Sequence, residues 1–194
     1  MLSKENIYLV KVVSCIAANK SDKLPVLLKR AKSDKVNSRK LYEAILQTYL
    51  FCGFPSTIES LKAFNNVFNY KTDEYNAVNI KSSGKKVCKI IYGSNYHKLL
   101  KNMSSISPEL KTWMIQEGYG KVLSRPFLTL KQRELINVSI LSTSYFPVQL
   151  LSHLIGALNA GSNTKELREV IDLTKPYNRK SNISKTLKLL SSIS

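Results

Sequence analysis

The feature that most constrains this chain is a pair of capped helices between residues 129 and 161. Thr129 followed by Gln132 has the pattern of a capping box, in which each side chain satisfies a free backbone amide of the first helical turn. Pro147 suits the first turn of a second helix, and Gly161 suits a left-handed cap at its end. Two helices joined by so short a connection are expected to pack against each other as a hairpin.

The second helix of this hairpin carries leucines at helical spacing, which predicts a broad buried face. His153 lies beside that face, so the protonation of its imidazole depends on a partner. Glu134, on the first helix, is the nearest carboxylate in the hairpin, and a carboxylate facing an imidazole is a minimal acid–base pair. A lone histidine on an apolar face also occurs as an ordinary hydrogen-bonded core residue. The spacing alone therefore leaves a catalytic and a structural interpretation open.

The whole chain has the size and composition of an all-α globular protein. Its 194 residues allow one domain with a sizeable core, whereas two full domains would be crowded. Hydrophobic residues make up 43% of the chain, and seven glycines are few for a turn-rich β-sandwich. Besides the hairpin, the pattern predicts helices over residues 6–18, 24–31, 39–52, 56–68, 96–103, 107–117 and 163–175.

Two segments carry weak structural signals. Residues 69–93 are predicted to form a polar connector with one short helix, and KKVCKIIY within it (residues 85–92) has the composition of a short strand. A lone strand would have nothing to pair with in an all-α protein. Residues 178–194 are predicted to be a basic tail that ends in one or two amphipathic turns.

The charge of the chain is strongly positive and comes mainly from lysine. Basic residues number 30 against 13 acidic ones, which gives a net charge of +17, and six of the basic residues are arginines. Scattered lysine is typical of a solvated surface, whereas a nucleic-acid interface concentrates arginine and interleaves aromatic residues. Nucleic acid is therefore a disfavoured partner, and a positive field also attracts a small anionic substrate.

The cysteines exclude several classes of site. Cys15, Cys52 and Cys88 are an odd number without a C-x-x-C motif, so we expect neither a disulfide framework nor a metal site. The longest apolar run near the start, residues 7–18, contains Lys11 and is too short to cross a bilayer. These observations predict a cytoplasmic protein without a membrane partner.

Two pieces of the chain resemble the carboxymuconolactone decarboxylase family, which includes alkylhydroperoxidase D. The first piece is GYGKVLSRPFLTLKQRELI followed by HLIGALNAG, and the second is LYEAILQTYLFCGFPSTIESLKAF. In typical members the second piece follows the histidine helix, whereas here it precedes the hairpin, so the helix order looks circularly permuted. The residues that carry the first pattern are Gly120, Ser124, Arg125, Pro126, Leu128, Leu130, Arg133, Glu134, Leu135, His153, Ala157, Leu158, Asn159 and Gly161.

The resemblance covers about residues 38–68 and 105–172 and implies an alkylhydroperoxidase D-like helical bundle. We therefore predict a carboxymuconolactone decarboxylase-like domain over residues 37–177. N-terminal helices over residues 1–36 would precede it, and the basic tail from residue 178 would follow it. The resemblance also implies a homo-oligomer, either a trimer or a hexamer.

The family has two chemistries, and the cysteines separate them. The peroxidase members need a reactive thiolate and a resolving thiol near the histidine. Phe146 and Gln149 occupy those two positions here, and neither side chain can act as a nucleophile, which argues against peroxidase activity. The decarboxylase members imply cofactor-free loss of carbon dioxide from a lactone acid, with no metal.

In such a site His153 would deliver a proton, Glu134 would orient it, and Arg125 or Arg133 would bind the substrate carboxylate. Arg133 alternatively pairs with Glu134 or caps a neighbouring helix. A non-catalytic family member, or a basic module that binds nucleic acid or an acidic partner, is the alternative function.

Overall fold

A computed structural model of the chain describes residues 1–71 and 74–193. The predicted connector and tail each include positions outside these ranges, namely residues 72 and 73 and residue 194. The described part contains helices and no strand, which confirms the predicted all-α fold. The α-helices are α1 (Lys4–Ala17), α2 (Leu24–Ser33), α3 (Ser38–Gln47), α4 (Tyr49–Phe68), α5 (Ile80–Tyr92), α6 (Tyr96–Ile106), α7 (Pro108–Trp113), α8 (Leu130–Ser144), α9 (Pro147–Asn159), α10 (Thr164–Thr174) and α11 (Lys180–Ser191). A π-helix, π1 (Met114–Leu123), continues α7.

Helix α8 lies at the centre of the molecule. Every residue from Gln132 to Thr143 is buried, because α1, α9 and α10 all pack around this helix. Ile136 and Ile140 join the core formed by α1–α4, whereas Leu135 and Val138 join the core formed with α9, α10 and α11. Polar side chains of α8 are therefore enclosed as well, and each needs a hydrogen-bonding partner.

The predicted caps of the hairpin are confirmed. The Thr129 hydroxyl accepts a hydrogen bond from the Gln132 amide at 3.2 Å, and the Gln132 side chain accepts one from the Thr129 amide at 3.1 Å. Pro147 is the first residue of α9, and Gly161 has φ of 91°, the left-handed conformation that glycine adopts without steric cost.

The start of α4 departs from one straight helix. Gly53 has φ of 78°, which kinks the chain where the pattern predicted that one helix ends and another begins. Thr48 lies between α3 and α4; its hydroxyl donates to the Ile45 carbonyl at 2.6 Å and lies 3.0 Å from the Thr57 hydroxyl. Helix α3 thus ends earlier than predicted.

Two sequence-based predictions of local structure are wrong, and one alternative that the sequence left open is decided. Residues 85–92 belong to the helix α5 rather than to a strand, since Gly84, Cys88 and Ile91 are buried at helical spacing. The predicted break at Gly118 and Gly120 is absent, because the chain continues through both as π1. The segment from residue 180 is a full helix, α11, whose Ile183 and Leu190 are buried in the core. Among the described helices, none combines the length and the apolar character that a membrane crossing requires.

Helices α5 and π1 cross at glycine. A Cβ atom added to Gly84 would overlap the backbone carbonyl of Ile115, and one added to Gly120 would overlap that of Ile80. The overlapped atoms are backbone atoms, which cannot move aside as a flexible side chain can. Although α5 is only weakly apolar, it packs closely against π1, because the backbones of the two helices are in direct contact where the glycines lack side chains.

We predict that Gly84→Ala lowers the free energy of unfolding by about 3 kcal/mol, because the added methyl group separates α5 from π1. Chemical denaturation followed by circular dichroism measures this change. Gly118→Ala is the matched control, since no neighbouring atom lies within 4 Å of a Cβ at that position. Equal stability of the two variants would contradict the close crossing.

Candidate acid–base site

Glu134 of α8 and His153 of α9 form a hydrogen-bonded pair. The distance between Glu134 Oε2 and His153 Nδ1 is 2.8 Å. The Glu134 side chain is fully buried, and 10% of the His153 side chain is exposed. The hairpin places the two residues on facing sides of adjacent helices, as the spacing predicted.

The other ring nitrogen of His153, Nε2, makes no hydrogen bond within residues 1–71 and 74–193, and it is not among the buried polar atoms there that lack a partner. A histidine whose Nδ1 is held by a carboxylate presents Nε2 as its functional atom. His153 can therefore exchange a proton with a ligand while Glu134 keeps the ring oriented.

Hydrogen bonds link the Glu134–His153 pair to two buried side-chain amides, those of Asn137 and Gln47. Asn137 Nδ2 donates to Glu134 Oε1 at 2.9 Å, and Asn137 Oδ1 accepts from Gln47 Nε2 at 2.7 Å. Gln47 Oε1 in turn accepts from the Arg133 guanidinium at 2.9 Å. Gln47, Asn137 and Arg133 are all fully buried, so water does not compete for these bonds.

The two predicted carboxylate-binding arginines both bind Glu43 of α3. Arg125 donates to both carboxylate oxygens of Glu43, at 2.8 and 2.9 Å, and Arg133 donates to Oε2 at 3.3 Å. No ion pair between Arg133 and Glu134 occurs in the described residues, and Arg133 also donates to the Arg125 carbonyl, one residue beyond the C-cap of π1, at 3.2 Å. The role of Arg125 and Arg133 in binding a substrate stays a prediction, and in this structure their guanidinium groups are occupied by Glu43.

Burial and charge act in opposite directions on this ion cluster. Burial raises the pKa of the Glu43 carboxyl, but the guanidinium groups of Arg125 and Arg133 outweigh burial and hold that pKa below its ordinary value. Burial lowers the pKa of Arg133 to about 10, against the opposing effect of Glu43. Both groups are therefore charged at neutral pH.

Glu43, Gln47 and Asn137 were not predicted as site residues. A signal was present, since Asn137 follows Glu134 by three residues and Gln47 follows Glu43 by four, so each pair lies on one face of its helix. The sequence does not tell which face of α3 meets α8, because its apolar residues Leu41, Ala44 and Ile45 suggest only that the helix is buried.

The apolar surroundings of the pair come from α4, α5 and Gly156. The Phe51 ring lies edge-on to the His153 ring, with 6.1 Å between the centroids. A Cβ atom on Gly156 would lie 2.9 Å from Glu134 Oε2 and 2.6 Å from Ile91 Cγ2, so only glycine leaves room there for the carboxylate. The pair is thus enclosed on the side away from solvent.

Two cavities open near the pair, although His153 lines neither of them. A cleft of about 840 Å³ between α1, α4 and the end of α8 is lined by Phe51 and Cys52. A second cavity of about 220 Å³ is lined by Tyr92 and by Ser152, the residue before His153. Phe51 is common to the larger cleft and to the environment of His153.

The thiols lack the environment of a nucleophile. Burial raises the pKa of Cys52 to about 11 and that of Cys88 to about 12, with a further contribution to Cys88 from the Glu134 charge. Burial likewise raises the pKa of Cys15 to about 11. At neutral pH these thiols stay protonated, and a protonated thiol is a poor nucleophile. No group of three metal-ligating side chains occurs in the part of the chain that the structure describes.

We predict that Glu43→Gln lowers the free energy of unfolding by about 3–5 kcal/mol at pH 7, because it leaves the buried Arg133 charge uncompensated. The folded-state pKa of Glu43 is depressed, so its stabilising contribution is present above the unfolded pKa and is lost as the pH falls through the folded pKa. The denaturation curves of wild type and variant should therefore differ at pH 7 and converge at acidic pH. Glu59→Gln, which breaks an exposed pair with Lys62, is the control and should change stability by less than about 1 kcal/mol. An equal loss at both values of pH would contradict the assignment.

Comparison with known proteins identifies a relative of this chain. No family model matches the chain. Peroxisomal protein 2 of Schizosaccharomyces pombe is 31% identical over 175 residues, which cover 86% of this chain and 82% of that protein. A match of this length includes most of the helices described above.

Proposed function

The chain belongs to the family of peroxisomal protein 2, and we propose that it is a cofactor-free acid–base enzyme acting on a small organic acid. The proposed reaction is decarboxylation or isomerisation of a lactone acid, as the resemblance to carboxymuconolactone decarboxylases implies. The name of the relative gives a location and no activity. The proposal therefore depends on the geometry of the site.

The observation that carries the proposal is the bonding of the His153 ring. Its Nδ1 is 2.8 Å from the buried Glu134 carboxylate, and its Nε2 has no partner in the described part of the chain. In a decarboxylation the bond from carbon to the carboxylate breaks, carbon dioxide leaves, and the electron pair stays on an enolate. His153, protonated on both ring nitrogens and paired with Glu134, would then deliver the Nε2 proton to the enolate carbon, become neutral, and regain that proton from solvent.

Arg125 is the better candidate for holding the substrate carboxylate. Its side chain keeps 10% exposure, whereas that of Arg133 has none. Substrate binding at Arg125 would replace one or both of its bonds to Glu43, which Arg133 and Arg39 also contact at 3.3 and 3.2 Å. Glu43 would then retain two cations, so its negative charge would stay compensated.

The arginines also favour an enzyme over a basic binding module. Three of the six arginines, Arg39, Arg125 and Arg133, converge on Glu43 instead of forming a cluster on an exposed face. An interface for nucleic acid would present arginine to solvent for bidentate contacts with phosphate. The positive charge that remains on the surface is carried mainly by lysine, which suits general attraction of small anions.

We predict that the protein releases carbon dioxide from one of a panel of small lactone acids, and that His153→Gln lowers this rate at least about 100-fold, because the proton donor is lost. Release of labelled carbon dioxide measures the rate. His97→Gln is the matched control, since His97 is exposed on α6 and lies outside the site. Equal rates for wild type and His153→Gln would exclude His153 as the catalytic residue.

The protein is also proposed to form a trimer or a hexamer, as the family resemblance implies. Phe54 and Ile58 of α4, and Phe146 and Val148 at the start of α9, are large apolar residues between 48% and 73% exposed. Association would remove such surface from water. We predict an oligomeric mass by light scattering at micromolar concentration, and a monomer would contradict it.

The location of the relative supports a peroxisomal location for this chain, in place of the predicted cytoplasm. A fluorescent fusion that overlaps with a marker of the peroxisomal matrix would support this location, and a uniform cytosolic signal would exclude it.

A further inference from the structure

We propose that α5, α6 and α7 form a surface that binds membranes containing anionic lipids. Six exposed lysines would contact the lipid headgroups, and the exposed apolar residues beside them would enter the interfacial region of the bilayer. These residues take no part in the proposed acid–base reaction. The predicted absence of a membrane partner rests on the lack of a spanning segment, which peripheral binding does not require.

The segment that carries α5 and α6 contains positive charge and no negative charge. Residues 75–108 include six lysines and neither an aspartate nor a glutamate, although the whole chain has 13 acidic residues. These lysines are Lys81, Lys85, Lys86, Lys89, Lys98 and Lys101. All six are exposed, and none forms an ion pair within residues 1–71 and 74–193. Their charges are therefore available to an anionic partner.

Helix α5 places its lysines on the side away from its packed face. Gly84, Cys88 and Ile91 are buried, and α5 packs with that face against π1 and α9. Lys85 and Lys89 lie one turn apart on the exposed side. Like charges at this spacing destabilise a helix. The stability of α5 therefore does not explain its lysines, whereas binding to an anionic surface does.

Two side-chain contacts make the exposed surface continuous from α5 to α7. The Lys89 ammonium lies 5.5 Å from the centre of the Tyr96 ring, at the start of α6. Near the other end of α6, Lys111 of α7 donates to the Ser104 hydroxyl at 3.2 Å. Helices α5, α6 and π1 also share one apolar core, which fixes their relative positions.

Large apolar side chains are exposed along the same helices. Ile90 of α5, Ile106 at the end of α6, and Leu110 and Trp113 of α7 are between 46% and 72% exposed. Leu110 and Trp113 are three residues apart and so share one face of α7. Tryptophan and aliphatic residues beside lysine are typical of a surface that lies at the membrane interface, where each group meets the layer that suits it.

The composition of the surface favours lipid over other partners. A second copy of the chain would bring the same lysines, so electrostatic repulsion opposes self-association through this surface. A nucleic-acid interface is expected to use arginine, and residues 75–113 contain none. Lysine is a compact point charge on a flexible stem, which suits mobile headgroups that offer no fixed geometry.

Trp113 reports contact with lipid without a label, because it is the only tryptophan of the chain and is 57% exposed. The full chain is mixed with vesicles of phosphatidylserine and phosphatidylcholine in equal amounts, and separately with vesicles of phosphatidylcholine alone. We expect the protein to sediment with the anionic vesicles only, with Trp113 emission shifted to shorter wavelength. Added salt should weaken the binding, since the Debye length falls from about 10 Å at about 0.1 M to about 3 Å at about 1 M.

The combined variant Lys85→Glu, Lys86→Glu and Lys89→Glu tests the lysines of α5. Each lysine near an anionic bilayer contributes about fivefold to binding, so this variant should bind the anionic vesicles at least about 100-fold more weakly. Circular dichroism checks that the variant keeps its helices, so that a loss of binding is not a loss of the fold.

The matched control combines Lys165→Glu, Lys180→Glu and Lys188→Glu, which replace exposed lysines of α10 and α11. It changes the net charge of the protein by the same amount at a different surface. Because salt screens charges that lie far from the bilayer, this control should weaken binding less than about tenfold.

Ile106→Ser combined with Leu110→Ser tests the apolar residues and leaves both the charge and Trp113 unchanged. Loss of the apolar area that would enter the bilayer should weaken binding by about tenfold or more. Wild-type binding in this variant would show that the apolar residues do not enter the bilayer.

Several results would overturn the proposed surface. One is no binding to the anionic vesicles, and another is equal binding to both kinds of vesicle. Equal losses in the two lysine variants would also overturn it, since the general charge of the protein would then attract the lipid. An unchanged Trp113 emission in sedimented protein would exclude contact of α7 with the bilayer. If an RNA oligonucleotide binds in salt that releases the vesicles, and the α5 variant loses this binding, nucleic acid is the partner instead.

Discussion

The buried carboxylate of Glu43 is the interaction on which the architecture of this protein depends. It joins three separate parts of the chain, because Arg125 precedes α8, Arg133 belongs to α8, and Glu43 itself belongs to α3. An uncompensated charge in this position would cost several kcal/mol, so the three groups have to be brought together whenever the core forms. Their meeting fixes the distance and rotation of α3 relative to α8, which apolar contacts between two helices would leave less specific.

The packing of α3 against α8 also allows the polar residues of α8 to form hydrogen bonds with α3. Asn137 and Glu134 lie one turn from Arg133 along the helix, and Gln47 lies one turn from Glu43 on α3. Once the arginine and the carboxylate are paired, Gln47 has no choice of partner other than Arg133 and Asn137. An ion cluster that serves the fold is thus continuous with the hydrogen bonds that hold Glu134 against His153. Changes at Glu43 are therefore expected to affect both stability and the geometry of the site.

The sequence predicted those features that depend on neighbouring residues. Thr129 with Gln132, Pro147 and Gly161 define the hairpin because caps are local interactions, and the hairpin in turn brings Glu134 to His153. The partner of Arg125 and Arg133 could not be predicted in this way, since Glu43 is separated from them by 82 and 90 residues. The ambiguity at residues 85–92 has a similar origin: Val87, Ile90 and Ile91 suit a strand locally, whereas the contact that favours the helix, Gly84 against π1, joins residues distant in the sequence.

The composition of the core gives a physical reason to expect a function there. Arg133, Glu43, Gln47, Asn137 and Glu134 are all inaccessible to solvent, and Arg133 Nε has no hydrogen-bonding partner in the described part of the chain. Apolar side chains of similar volume would give a core at least as stable, because a buried ion pair recovers little more than its own desolvation. The polar groups end at His153, whose side chain is 10% exposed and which the proposed function would use. Stability alone accounts for Glu43 and its arginines, whereas the two amides link this cluster to Glu134 and through it to His153.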